Sequence, residues 1–177
     1  MAKEDDIFSF LFAASLNTGK TIRFLPTGTS MQPTLREGDI LTAKPIRYQE
    51  AEVGDILAYQ NFETKQLIVH RLVKKVKNSG MEIMLTMPEI GCARAYDFPL
   101  KPDNCIIAKV IAIERGNKVI NLKTPKEILK GKIISYLMVN LPFIMAIRSK
   151  GYMALKRPHL IRPKIKGFIK DVVKCLS

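Results

Sequence analysis

Between residues 21 and 122 the chain is a succession of short apolar runs, each closed by turn-forming residues. The runs cover residues 21–26, 40–44, 56–62, 67–77, 81–87, 106–114 and 118–122. Between them lie Gly38-Asp39, Gly54-Asp55, Asn78-Ser79-Gly80, Pro102-Asp103-Asn104 and Gly116-Asn117. Glycine turns the chain through positive φ, and Asn or Asp bonds back to its own backbone, so these clusters reverse the chain instead of extending it. Helical periodicity is poor throughout, and seven runs of this length predict a mainly β, antiparallel domain, a bent barrel or sandwich. Asn78-Ser79-Gly80 and Arg115-Gly116-Asn117 carry hairpin chemistry.

Both ends differ from this middle. Residues 7–16 come after the acidic stretch Glu4-Asp5-Asp6 and read as a short helix ending near Asn17-Thr18-Gly19. After Leu122, Thr124-Pro125-Lys126-Glu127 reads as a helix start. Thr124 is the N-cap, Pro125 takes the first helical position and Glu127 closes a capping box. The helix is expected to reach about Asn140. Pro142, Pro158 and Pro163 interrupt the chain beyond it, and residues 164–176 are expected to form a last amphipathic segment. The chain thus divides into an N-terminal helix (1–20), a β domain (21–122) and a helical basic extension (123–177).

The formal charge of +13 is concentrated in that extension. Residues 1–122 hold 16 Lys/Arg against 14 Asp/Glu, whereas residues 123–177 hold 13 against 2. Such a segment suits an anionic membrane surface, an acidic partner or nucleic acid. Nucleic acid is the poorest fit, because the segment has few aromatics to stack on bases (Tyr152, Phe168) and no helix-turn-helix precedes the β domain. Apolar residues 133–147 beside Arg148, Lys150, Lys156 and Arg157 fit a peripheral anchor, or else a packed helical cap with a solvated basic face. Neither apolar stretch reaches the roughly 18 residues of a membrane span, and the acidic start does not suit a secretory signal. Cys92, Cys105 and Cys175 lack metal-ligand spacing, so unpaired thiols and no metal are expected.

One turn carries more chemistry than the rest. Residues 28–39 read Gly-Thr-Ser-Met-Gln-Pro-Thr-Leu-Arg-Glu-Gly-Asp, placing Ser30 in a Gly/Pro-bounded turn after an extended run. His70, one of two histidines, ends the apolar run Gln66-Leu67-Ile68-Val69. A hydroxyl and an imidazole on separate strands are the minimum parts of a nucleophile–base pair. Taken singly, they are equally a turn serine and a strand-end histidine.

The turn resembles the nucleophile box shared by type I signal peptidases and self-cleaving SOS-repressor peptidases, in which the serine of Gly-x-Ser-Met-x-Pro is the nucleophile. Val53-Gly54-Asp55-Ile56 resembles the next strand start in both, and Ile68-Val69-His70-Arg71-Leu72 resembles the histidine-base branch, that of endoplasmic-reticulum and archaeal signal peptidases. The resemblance spans about residues 21–113. It implies a signal-peptidase-type β fold and a serine endopeptidase with Ser30 as nucleophile, His70 as base and an acid beyond. That acid is expected at Asp97, with Asp103 and Glu89 as poorer substitutes; Cys92 stands where the family has its first Asp. The Ser30 N–H is the expected oxyanion donor. Gly28 takes the place where many signal peptidases carry a hydroxyl, and Thr29 is a further candidate contact. Met31 either borders the pocket for the residue before the cut or simply packs in the core. Asp39 and Asp55 read as structural turn residues.

The implied substrate is a leader-like segment of a peptide or protein precursor, and no cofactor is implied. Type I signal peptidases carry a membrane span; the absence of one here gives the expectation of a chain without that anchor, cytoplasmic and peripheral on the inner face of the membrane. The alternative is a non-catalytic binding or regulatory protein on a peptidase-like scaffold.

Overall fold

The computed structural model describes residues 18–61, 64, 66–78, 80–90, 96–102 and 107–140, together with residue 14. The seven expected runs form seven strands: β1 (Ile22–Phe24), β2 (Ile40–Pro45), β3 (Ile56–Gln60), β4 (Leu67–Asn78), β5 (Met81–Met87), β6 (Ile107–Arg115) and β7 (Lys118–Asn121). They build one antiparallel sheet in the order β1-β2-β6-β3-β4-β5, with β7 also on β6. β3 and β7 share one side of β6: β3 pairs with its first residues, Ile107 to Lys109, and β7 with its last, Ala112 to Arg115. Both hairpin signals join strands directly, pairing Asn78 with Met81 and Arg115 with Lys118.

The sheet is bent but open, where a closed barrel was one expectation. Register shifts at Thr42/Ala43 and between Leu72 and Lys74 mark bulges, which bend a strand and increase its twist. On the outer edge of β5 one residue, Met84, forms an isolated bridge. Met84 and Leu100 exchange backbone hydrogen bonds of 3.1 and 3.0 Å, and the Met84 N–H also lies 2.9 Å from the Tyr48 hydroxyl. That hydroxyl donates to the Leu100 carbonyl at 2.6 Å.

β3 is central and buried on both faces, which explains its near-continuous apolar sequence Ile56-Leu57-Ala58-Tyr59. Ile56 and Ala58 join Phe24, Met31, Leu35, Leu41, Val110 and Ile113 in one core cluster. Leu57 and Tyr59 join Tyr48, Leu72, Met84, Leu100 and Ile107 on the other side. Alternation along β3 therefore serves two cores instead of a core and solvent.

The helix α1 runs Pro125–Asn140, as the capping residues predict. The Thr124 hydroxyl accepts the Glu127 N–H at 3.4 Å. The reciprocal arm of the capping box differs, since the Thr124 N–H donates to the Asn121 carbonyl and Glu127 pairs with Lys130. Ile134 and Met138 pack on Val73 and Met87, and Ser135 donates to the Leu72 carbonyl at 3.1 Å. Gly131 permits the closest approach. A Cβ there would lie 2.7 Å from the Gly54 carbonyl oxygen, so alanine, the better helix former, does not fit.

The expected N-terminal helix (7–16) lies outside the described residues apart from residue 14, as do all three cysteines, Asp103 and the basic stretch from residue 141 onward. Among the described residues no helix is long and apolar enough to cross a membrane.

Candidate active site

After β1 the chain passes through Gly28, whose φ of 90° suits glycine and strains any L side chain, into the turn of residues 30–34. The Gln32 N–H donates to the Thr29 carbonyl (3.0 Å) and the Leu35 N–H to the Met31 carbonyl (2.9 Å). Gln32–Pro33 is cis. Met31 and Leu35 anchor the turn from below in the core, leaving Ser30 half-buried above them.

His70 lies on β4 opposite Leu57 of β3, one residue before the pairing of Arg71 with Met87 ends β5's cover. Asp97 comes after β5 on an irregular segment and is tied back to it by its N–H, which donates to the Thr86 carbonyl at 2.9 Å.

The tertiary structure brings these three residues into one line. His70 Nε2 lies 3.1 Å from Ser30 Oγ, and His70 Nδ1 lies 2.7 Å from Asp97 Oδ2. A carboxylate only accepts, so the Asp97 contact assigns the proton to Nδ1 and leaves the Nε2 lone pair facing the serine hydroxyl. The imidazole and carboxylate are 14% and 18% exposed, sheltered enough to keep bulk water from competing for their hydrogen bonds.

A cleft of about 410 Å³ opens over Ser30 and His70. One wall is formed by residues 24–28 and the other by residues 66–69, with Met31, Leu35 and Arg36 completing the lining. Gly28 and Met31 thus border it as well as bordering the turn. Met31 is both buried in the core and part of the cleft lining. Thr29 is different: it is exposed and absent from the lining, and its carbonyl accepts the Gln32 N–H.

Glu89, a poorer candidate for the acid, is taken up elsewhere. Its fully buried carboxylate accepts from Arg71 Nε at 2.8 Å and from the Thr34 hydroxyl at 2.6 Å. The neighbouring Ile90 N–H donates to the Ser30 carbonyl at 2.8 Å. Glu89-Ile90 therefore holds the Ser30 turn at both ends. A second grip comes from Arg115, which donates to the Thr34 carbonyl (2.8 Å) and to both oxygens of Asp39 (2.8 and 2.7 Å). Burial alone would raise the Asp39 pKa, but Arg115 and the Arg36 N–H hold it below the ordinary carboxylate value. Asp55 likewise accepts the Glu52 N–H (2.9 Å) and pairs with Lys109 (2.7 Å). Both aspartates sit in turns as their Gly-Asp context predicts.

The sequence has a similar counterpart among known proteins. The chain is 32% identical over 108 residues to the signal peptidase complex catalytic subunit SEC11 of Scheffersomyces stipitis. The chain is thus similar to a signal peptidase subunit. The match covers 61% of this chain and 54% of the yeast protein, so the chain spans about half the length of the curated relative it matches. No family model matches the chain. No solved structure matches it either.

Sequence reasoning did not identify Tyr59 and Thr86, whose hydroxyls also reach Asp97, nor the Arg71–Glu89–Thr34 group. The signal for the second was present: Arg71 and Glu89 are opposite charges, each set among apolar residues, and buried charges must be paired.

Proposed function

We propose that the chain is a signal-peptidase-like serine endopeptidase that hydrolyses a peptide bond in a precursor segment bound along the cleft. The observation that carries this reading is a single imidazole bridging the Ser30 hydroxyl and the Asp97 carboxylate at 3.1 and 2.7 Å, at the floor of the cleft. The similarity to a signal peptidase catalytic subunit supports the same reaction class.

In this reading His70 Nε2 takes the Ser30 proton as Oγ attacks the scissile carbonyl carbon. Asp97 holds the Nδ1–H tautomer and stabilises the imidazolium that forms. The Ser30 N–H faces the developing oxyanion, and His70 then passes its proton to the leaving amine. Water, deprotonated by the same imidazole, hydrolyses the acyl-enzyme. Two strand segments wall the cleft: the end of β1, an edge strand, and residues 67–70 of β4, before the β5 pairing begins. Strand-lined walls suit an extended peptide, whose backbone could bond to them while side chains enter the space between.

A fluorophosphonate probe is expected to label the wild-type protein and to leave Ser30→Ala unlabelled. Equal labelling of both, or of neither, removes the catalytic reading and leaves a binding protein on a peptidase-like scaffold.

A further inference from the structure

Three hydrogen-bonding groups meet at Asp97 Oδ2. Beside His70 Nδ1 at 2.7 Å stand the Thr86 hydroxyl at 2.7 Å and the Tyr59 hydroxyl at 3.1 Å. The two hydroxyls are 2.8 Å from each other. Three short edges thus join Tyr59, Thr86 and Asp97, but only two hydroxyl protons are available to fill them. Thr86 gives its proton to Oδ2, so the Tyr59 hydroxyl, 3.1 Å from Oδ2 and 2.8 Å from Thr86 Oγ1, shares its own proton between the carboxylate and the Thr86 oxygen.

We infer that Thr86 is the positioning residue for the Asp97 carboxylate and that Tyr59 orients the Thr86 hydroxyl; this rests on the peptidase reading given above. Asp97 lies outside any strand, so nothing in its own backbone regularity holds the carboxylate opposite the imidazole. Thr86 supplies that constraint at two points, its carbonyl accepting the Asp97 N–H and its hydroxyl donating to Oδ2. Thr86 itself is placed by the sheet. It pairs in register with Leu72, which shares a face of β4 with His70 two residues away. Tyr59 comes from the next strand, two residues from Leu57, the register partner of His70. Tyr59, His70 and Thr86 therefore project from three adjacent strands on one face, and the rigid pleat sets their separation. Both hydroxyls are buried, Tyr59 at 2% exposure and Thr86 at 0%, so water does not substitute for either.

The test is Thr86→Val, which keeps the shape and removes the donor, beside Thr86→Ser, which keeps the donor. Fluorophosphonate labelling is expected to fall about 10- to 100-fold in Thr86→Val, the scale of a misplaced catalytic group. Thr86→Ser is expected to recover most of the rate, and Tyr59→Phe to lose about fivefold, one hydrogen bond's worth. The second readout needs no activity: the downfield proton resonance of His70 Nδ1–H, identified by its loss in His70→Ala. It is expected to shift or broaden in Thr86→Val and to persist in Thr86→Ser. Wild-type labelling in Thr86→Val, or an unchanged resonance, overturns the inference, as does a Thr86→Ser protein as slow as Thr86→Val. Should wild-type protein resist labelling altogether, the peptidase reading fails, and the resonance alone still decides whether Thr86 holds the carboxylate.

Discussion

His70 and Arg71 are neighbours on β4, yet they serve opposite faces and opposite kinds of electrostatics. His70 sits in a partly sheltered line of exchangeable protons, between a hydroxyl and a carboxylate. Arg71 is locked in a buried pair with Glu89 and bonds to the Gly54 carbonyl, against which Gly131 of α1 packs. The first face is a line of hydrogen-bonded donors and acceptors open to the cleft. The second carries fixed charges, and its bonds through Glu89 and Ile90 hold the Ser30 turn in place. One strand thereby separates the candidate site from the rigid support beneath it, and the alternation of strand side chains is what makes this possible.

That contrast can be broken experimentally. The largest expected effect is Asp97→Asn, which keeps the volume but loses the charge and favours the wrong imidazole tautomer. A loss of about 10⁴ in peptide cleavage rate is expected, with little change in the denaturation midpoint. A large stability loss with unchanged cleavage would exchange the roles of the two faces. Next is Arg71→Met, which leaves the Glu89 carboxylate buried without its guanidinium. Urea denaturation should show destabilisation of about 3–5 kcal/mol, much of it regained when Glu89→Leu is added, because an apolar pair needs no charge partner. If the double variant were no better than the single one, the buried charge would not be the cause.

The smallest effect concerns Asp39. Its pKa is lowered in the folded state, so its stabilising contribution is present above the unfolded value of about 4 and is lost as pH falls through the folded value. Asp39→Asn should cost about 1.5–3 kcal/mol at neutral pH, the worth of bonds to a charged group, and should flatten the stability profile below about pH 4. Parallel profiles for the two proteins across that range would show that Asp39 does not titrate in the way its contacts require.

Much of the frame was legible because it rests on local chemistry. Strand limits track turn residues, and β5 coincides with its apolar run because Asn78-Ser79-Gly80 closes one end and Pro88 the other. α1 starts at Pro125 because a missing N–H is harmless in the first turn. The return of Leu100 to bridge Met84 was not legible, since no local pattern encodes a contact between residues so far apart in sequence.

The same division holds at the site. By itself the sequence marked out the seven strands and the glycine-bounded turn that carries Ser30, and its family resemblance proposed partners for that serine: His70, and Asp97 ahead of Glu89 and Asp103. Only the tertiary structure decided that Asp97 meets the imidazole while Glu89 is consumed by Arg71 and Thr34. It also brought Tyr59 and Thr86, ordinary strand residues 38 and 11 positions from Asp97, to the same carboxylate oxygen. Propensity and turn chemistry act over a few neighbours and are written in the residues themselves. A hydrogen bond between distant side chains depends on register across three strands, and register exists only once the sheet has formed.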